Sequence, residues 1–143
     1  MKEENIEVLF RKNGYRVTPQ RLAISKLILS SRNHPNVDEI YDKISKQFPT
    51  ISLSTVYQTL NVLKLLGKIF EIKNSDKGSR FETNLEPHVN IICLKCGLIE
   101  DYSSPLIKNF LKNLKKELEF EPDGFNLEIY RTCDSCKEKN KNK

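Results

Sequence analysis

The chain has four cysteines, and they fall as two C-x-x-C pairs, Cys93-Leu94-Lys95-Cys96 and Cys133-Asp134-Ser135-Cys136. Two residues between thiols let a tight turn aim both sulfurs at one point, and two such turns supply the sulfurs a tetrahedral zinc ion takes. Four thiolates leave no open position for a substrate, so the implied ion is a structural clamp. A redox pair is the competing chemistry of C-x-x-C, but a thioredoxin-type site follows the first strand of a βαβ unit and does not come in duplicate. A second group of donors is scattered. The two histidines are His34, in a hinge between helical patterns, and His88, five residues before Cys93. Glu82, Asn90, Glu100 and Asp101 lie nearby in sequence. A lone histidine is commonly a surface or capping residue. Gathered with carboxylate and amide oxygens, the same two form an N/O set suited to Fe(II), Mn(II) or a second zinc. Such a centre could be catalytic. No nucleophile–base pairing accompanies it at a telling spacing, so a metalloenzyme stands only as the reading from a different class.

These donors need elements to hold them. Ile6, Leu9 and Phe10 are spaced for one face of a short helix over residues 3–12, ended by Gly14. Thr18 can N-cap and Pro19 fits a first helical position, so a second helix runs to about Ser30 with Leu22, Ala23, Leu27 and Ile28 inside. After the break at His34-Pro35-Asn36, Val37, Ile40, Tyr41, Ile44 and Phe48 define an amphipathic helix that Pro49 closes. Ser52 caps a fourth helix with Leu53, Val56, Leu60 and Leu63 inside and Gly67 past its end. Its other face carries Ser54, Thr55, Tyr57, Gln58 and Asn61, polar but uncharged, where a solvated face is more often rich in Lys and Glu. Strands over 69–72 and 80–83 flank the turn-rich Asn74-Ser75-Asp76-Lys77-Gly78. Helices followed by a hairpin make the winged-helix pattern, with the fourth helix for the major groove and the hairpin as wing.

Glu86-Pro87 breaks the chain. Beyond it, strands over 89–93 and 98–102 flank the first C-x-x-C. An amphipathic helix follows with Leu106, Ile107, Phe110, Leu111, Leu114 and Leu118, and an alternating strand over 125–130 leads to the second pair. The expected fold is α+β: a winged-helix DNA-binding domain over residues 1–85, then a small α/β dimerisation domain over 86–143 stabilised by structural zinc. A sheet this small leaves an open edge, which a second copy would cover.

Composition sets limits. With 143 residues and 38% apolar content the chain has room for one ordinary domain or two small ones. A net charge of +5 suits a polyanion such as nucleic acid. There is no apolar run of membrane-spanning length and no signal-peptide core at Met1-Lys2-Glu3-Glu4-Asn5. The expected location is the cytoplasm, where thiols stay reduced. The tail over 137–143 reads as a solvated, frayed end.

Over nearly its whole length the sequence resembles the ferric uptake regulator family of metal-dependent repressors. The likeness rests on Arg16-Val17-Thr18-Pro19-Gln20-Arg21, His34-Pro35 with Asp38-Glu39-Ile40-Tyr41, and Ser54-Thr55-Val56-Tyr57-Gln58-Thr59-Leu60. It continues through Arg80-Phe81-Glu82, His88 and Cys93-x-x-Cys96-Gly97 to Cys133-x-x-Cys136. The resemblance implies a homodimer on a double-stranded DNA operator, zinc on Cys93, Cys96, Cys133 and Cys136, and a regulatory Fe(II) or Mn(II) on His34, Glu82, His88, Asn90 and Asp101. It also implies DNA contacts from Arg16 together with the fourth helix. Asn90 stands where the family usually has histidine. Val89, Lys108 and Phe125 stand where some members carry ligands to a third metal. Asp101 resembles the peroxide-sensing branch, whose two oxidised histidines match His34 and His88; an iron-responsive repressor is the alternative.

Overall fold

The computed structural model describes residues 5–74 and 78–141, so Ser75, Asp76 and Lys77 of the expected hairpin turn lie outside the described residues. The chain divides into two compact units, Met1–Leu85 and Glu86–Lys143.

Unit 1 runs α1 (Ile6–Lys12), α2 (Pro19–Leu29), α3 (Val37–Gln47), α4 (Leu53–Leu65), β1 (Phe70–Asn74) and β2 (Gly78–Glu82). Each helix starts where a short polar side chain replaces a missing backbone partner. Asn5, Thr18 and Ser52 accept from the N–H of Glu7, Arg21 and Thr55. Asn36 and Glu39 form a reciprocal capping box at α3. Gly14 and Gly67 take left-handed φ values of 75° and 64° past the ends of α1 and α4, a conformation glycine adopts without a Cβ penalty.

Phe10, Ile24, Ile28, Ile40, Ile44, Val56, Leu60, Leu63, Ile69 and Phe81 meet in one core. Each such side chain contributes about 1.5–3 kcal/mol by leaving water; Leu60→Ala would cost about 2–5 kcal/mol. Two expectations shift. In α2 the fully buried residues are Ile24, Ser25 and Ile28, while Leu22, Ala23 and Leu27 are half-buried. This helix packs against α1, α3 and α4 together, so a single stripe understates what it buries. Leu53 is exposed, and Thr59 and Val62 are buried in α4 instead. Thr59 satisfies its hydroxyl by donating to the Thr55 carbonyl at 2.8 Å. β1 and β2 pair antiparallel, Phe70 opposite Glu82 and Ile72 opposite Arg80.

Unit 2 runs β3 (Val89–Cys93), β4 (Ile99–Tyr102), α5 (Pro105–Glu117), β5 (Glu128–Arg131) and α6 (Asp134–Lys141). The sheet order is β4-β3-β5, antiparallel between β3 and β4 and parallel between β3 and β5. The strand expected over 125–130 is shorter and later, and residue 127 joins the sheet through its carbonyl, which accepts from Asn90 N–H at 2.8 Å. The tail is also ordered further than expected, since α6 runs to Lys141. Its first turn closes on the Cys133 carbonyl, which accepts from the N–H of Cys136 and Lys137 at 3.0 Å each. Asp134 at the positive helix end meets Lys137 at 3.5 Å. Of α5, only Leu111 is buried among the described residues; Leu106 is 75% exposed and Phe110 52%.

Candidate metal centres and nucleic-acid interface

In unit 2 the end of β3 and the start of α6 bring the cysteines together. Cys93 closes β3, the turn after it reaches Cys96, and Gly97, at φ 73°, returns its N–H to the Cys93 carbonyl at 2.9 Å. Cys133 follows β5, and Cys136 lies in the first turn of α6. All four are free thiols whose sulfurs lie within 4.8 Å of one another. A zinc ion holding sulfurs at about 2.3 Å sets tetrahedral neighbours about 3.8 Å apart; Cys96 Sγ and Cys133 Sγ are 3.7 Å apart. The set suits a structural zinc. Donation from Cys133 N–H at 3.3 Å, helped by the N–H of Cys96 and Lys95, holds the Cys93 thiol down at about 5 against the opposing effect of burial. The Cys136 thiol is pushed up to about 12, first by its hydrogen bond with Cys133 and then by burial. The cluster therefore gives up one proton readily and resists losing the others, which a bound cation would displace.

In unit 1, His34 and Glu82 form a buried pair, Nε2 to Oε2 at 2.8 Å, with His34 5% exposed. The contact is a hydrogen bond, and its length is also close to the roughly 3 Å between adjacent ligands of an octahedral metal held at about 2.1 Å. The backbone is held to make it. His34 has φ 47°, the one positive value for a non-glycine among the described residues. Such strain costs of order 1–3 kcal/mol and persists where surroundings over-determine it. Here Phe81 N–H donates to the Pro35 carbonyl at 3.1 Å, and Arg80 Nη1 donates to the His34 carbonyl at 3.2 Å while reaching Glu39 at 3.2 Å. Arg80 and Glu82 stand two apart on β2 and so project to one side, one gripping the peptide of His34 and the other its ring. The role of Arg80 was not drawn from the sequence; its i, i+2 relation to Glu82 was the available signal.

The remaining proposed donors lie in unit 2. His88 Nδ1 is 2.7 Å from the Glu86 carbonyl. Nδ1–H donating there leaves the lone pair on Nε2, the tautomer a metal ligand needs. Asn90 on β3 is directly opposite Asp101 on β4, so their side chains share one face of the sheet. Asn90 is 4% exposed, and its Oδ1 is buried with no hydrogen-bond partner. An unsatisfied buried amide oxygen costs about 1–3 kcal/mol.

The nucleic-acid candidates lie in unit 1. On α4, Ser54, Tyr57, Gln58 and Asn61 are exposed, Tyr57 at 54%, and Thr55 is half-buried. Gln58 Nε2 donates to Ser54 Oγ at 3.4 Å, and Thr55 and Ser52 hydroxyls meet at 2.9 Å. Apart from Lys64 in the last turn, α4 carries no charge. Arg16 is exposed just before α2, and Arg21 donates to its carbonyl at 2.9 Å. This second guanidinium beside Arg16 also went unassigned from the sequence.

A four-helix unit closed by a hairpin, followed by an α/β unit with a four-sulfur clamp, is the α+β architecture of winged-helix regulators with a C-terminal dimerisation domain. Residues 12–130 match the ferric uptake regulator family, and the chain belongs to it. It is 42% identical over 136 residues to the peroxide-responsive repressor PerR of Staphylococcus epidermidis, covering 95% of this chain and 90% of that protein. The Campylobacter jejuni peroxide stress regulator superposes with a TM-score of 0.73 at 34% identity, covering 93% of this chain and 99% of that one. The Helicobacter pylori ferric uptake regulator Fur, described as having three functional metal-binding sites, gives a TM-score of 0.77 at 28% identity, covering 92% and 89%.

Proposed function

We propose that the chain is a metal-dependent, DNA-binding transcriptional repressor that responds to peroxide, acting in the cytoplasm as a homodimer and not as an enzyme. Residues 1–85 are its winged-helix DNA-binding domain and residues 86–143 its zinc-stabilised dimerisation domain. Cys93, Cys96, Cys133 and Cys136 hold the zinc. His34, Glu82, His88, Asn90 and Asp101 hold a regulatory Fe(II) or Mn(II). Arg16, Ser54, Thr55, Tyr57, Gln58 and Asn61 meet the operator.

The observation that carries this reading is the buried His34–Glu82 pair, two metal donors built into the unit whose α4 offers an uncharged, hydrogen-bonding face. A bare helix face of that kind matches base edges, and Arg16 with a net charge of +5 matches phosphates and the minor groove. Exposed Leu106 and Phe110 on α5, with Ile129 and Tyr130 on β5, support a second copy as the cover of unit 2. No helix among the described residues is long and apolar enough to cross a membrane.

Similarity to a repressor named peroxide-responsive supports the signal. Iron(II) held by His34, Glu82, His88, Asn90 and Asp101 would supply the electrons that reduce hydrogen peroxide, and the damage would be confined to groups in contact with the ion. The imidazoles of His34 and His88 are the targets, and an added oxygen weakens their donation. Zinc ties up the cysteine sulfurs, the competing targets. Peroxide added to the Fe(II) protein, but not the Mn(II) protein, is expected to add one oxygen to a peptide containing His34 or His88. Operator binding falls in step and zinc is retained. Mass spectrometry of the digest decides it: oxygen only on cysteine or Met1, or equally with Mn(II), replaces the peroxide reading with an iron-responsive one.

A further inference from the structure

Asn90 is the second residue of β3, the middle strand of unit 2, at a buried position where a leucine or valine would carry no polar atom. Its Oδ1 is buried and takes no hydrogen bond, although the strand around it is fully paired, Asn90 N–H donating to the Leu127 carbonyl at 2.8 Å. Its register partner is Asp101, so an amide oxygen and a carboxylate stand side by side on one face of the sheet. An acceptor with no protein donor, next to an acidic oxygen, is an environment that suits a cation.

We propose that Asn90 is the metal-selecting residue of the regulatory centre. This rests on the reading above that His34, Glu82, His88, Asn90 and Asp101 form that centre. With Asn90 bound through Oδ1, the donors are two nitrogens, from His34 and His88, and three oxygens. Amide and imidazole are both neutral, so Asn90 leaves the charge of the set as it would be with a histidine and alters only donor type. Imidazole nitrogen gains affinity steeply from Mn(II) through Fe(II) to Co(II), whereas carbonyl oxygen suits Mn(II) and discriminates less. The amide therefore narrows the advantage of Fe(II) over Mn(II), and biases the centre toward the metal that does not support histidine oxidation.

The test uses the full-length, zinc-loaded protein titrated with Mn(II), read by electron paramagnetic resonance, and with Co(II), read by its visible absorption, as an air-stable substitute for Fe(II). Asn90→His is expected to tighten Co(II) by about tenfold or more while Mn(II) changes by less than about threefold. Asn90→Asp, which keeps an oxygen donor, is expected to leave the Co(II)-to-Mn(II) affinity ratio within about threefold of the original. Asn90→Leu weakens both metals. Equal shifts for both metals in Asn90→His, or unchanged binding in Asn90→Leu, overturns the proposal. His34→Ala separates it from the reading beneath it. If His34→Ala binds metal like the original chain, the regulatory centre itself is misassigned. If His34→Ala loses metal while the Asn90 variants behave alike, Asn90 alone is misassigned.

Discussion

Replacing His34 by glycine and, separately, by alanine isolates the strain stored at that residue. Both changes remove the imidazole and leave Glu82 in the same surroundings, so the cost of breaking the buried pair cancels between them. What differs is the backbone at φ 47°. A left-handed residue with a Cβ costs about 1–2 kcal/mol that glycine escapes. Against this, glycine loses more conformational freedom on folding, about 0.5–1 kcal/mol. Glycine should therefore be the more stable variant by up to about 1.5 kcal/mol, with about 0.75 kcal/mol at the middle of the two ranges, provided the backbone stays where it is. Two bonds keep it there in both variants, Phe81 N–H to the Pro35 carbonyl and Arg80 to the residue-34 carbonyl. Urea unfolding of the zinc-loaded protein, followed by helical circular dichroism, reads the difference as a midpoint shift of a few tenths of a molar. An alanine variant as stable as the glycine variant, or more so, would refute the argument that His34 is strained into position.

Three further outcomes are expected. Cys96→Ser should release zinc to a colorimetric chelator at a concentration that leaves the original chain loaded, because three thiolates hold it less well than four. Gln58→Ala should relax base preference at one or two operator positions, whereas Arg16→Ala should weaken binding at every sequence and lower the slope of log affinity against log salt by about 1, measured by fluorescence anisotropy at several ionic strengths. Lys64→Met should flatten the acid limb of the stability curve. The Glu71 carboxyl is held below its ordinary range first by the Lys64 ammonium and then by Ser79, so its contribution is present above the unfolded value of about 4.3 and is lost as pH falls through the lower folded value. Urea midpoints between about pH 3 and 6 read this; an unchanged acid limb in Lys64→Met would remove Lys64 as the cause.

What could be read from sequence was local. Thr18-Pro19 and Ser52 start α2 and α4 because a cap and a first turn are written in adjacent residues. The cysteine spacing likewise encodes two turns, and the structure brings the four sulfurs within one ion's reach. Most of the rest depends on packing between elements that lie apart in the chain. Ser25 is buried because α2 has neighbours on several sides, and its hydroxyl turns back to the Arg21 carbonyl at 2.7 Å, which no periodicity announces. The grip of Arg80 on His34 spans 46 residues. The stretch over 137–143 reads as a frayed end, yet α6 carries it as far as Lys141 from a first turn anchored locally by the Cys133 carbonyl. The orphaned oxygen of Asn90 could not be seen before the sheet register paired it with Asp101 and showed what it lacks.

The parallel pairing of β3 with β5 gives the zinc clamp a second task. An antiparallel hairpin has its register fixed by its turn, but parallel neighbours are joined by a long crossover that fixes nothing residue by residue. Here the two strands end together, Cys93 opposite Arg131, and each runs directly into one of the cysteine turns. The metal is therefore a pin through the ends of two strands, and it selects one alignment among those the crossover allows. A slip of one residue would exchange Ile129 and Tyr130 between the two faces of the sheet and carry every neighbour with them. Without zinc, the alignment of β5 on β3 would rest on strand pairing and the buried faces of β3 alone.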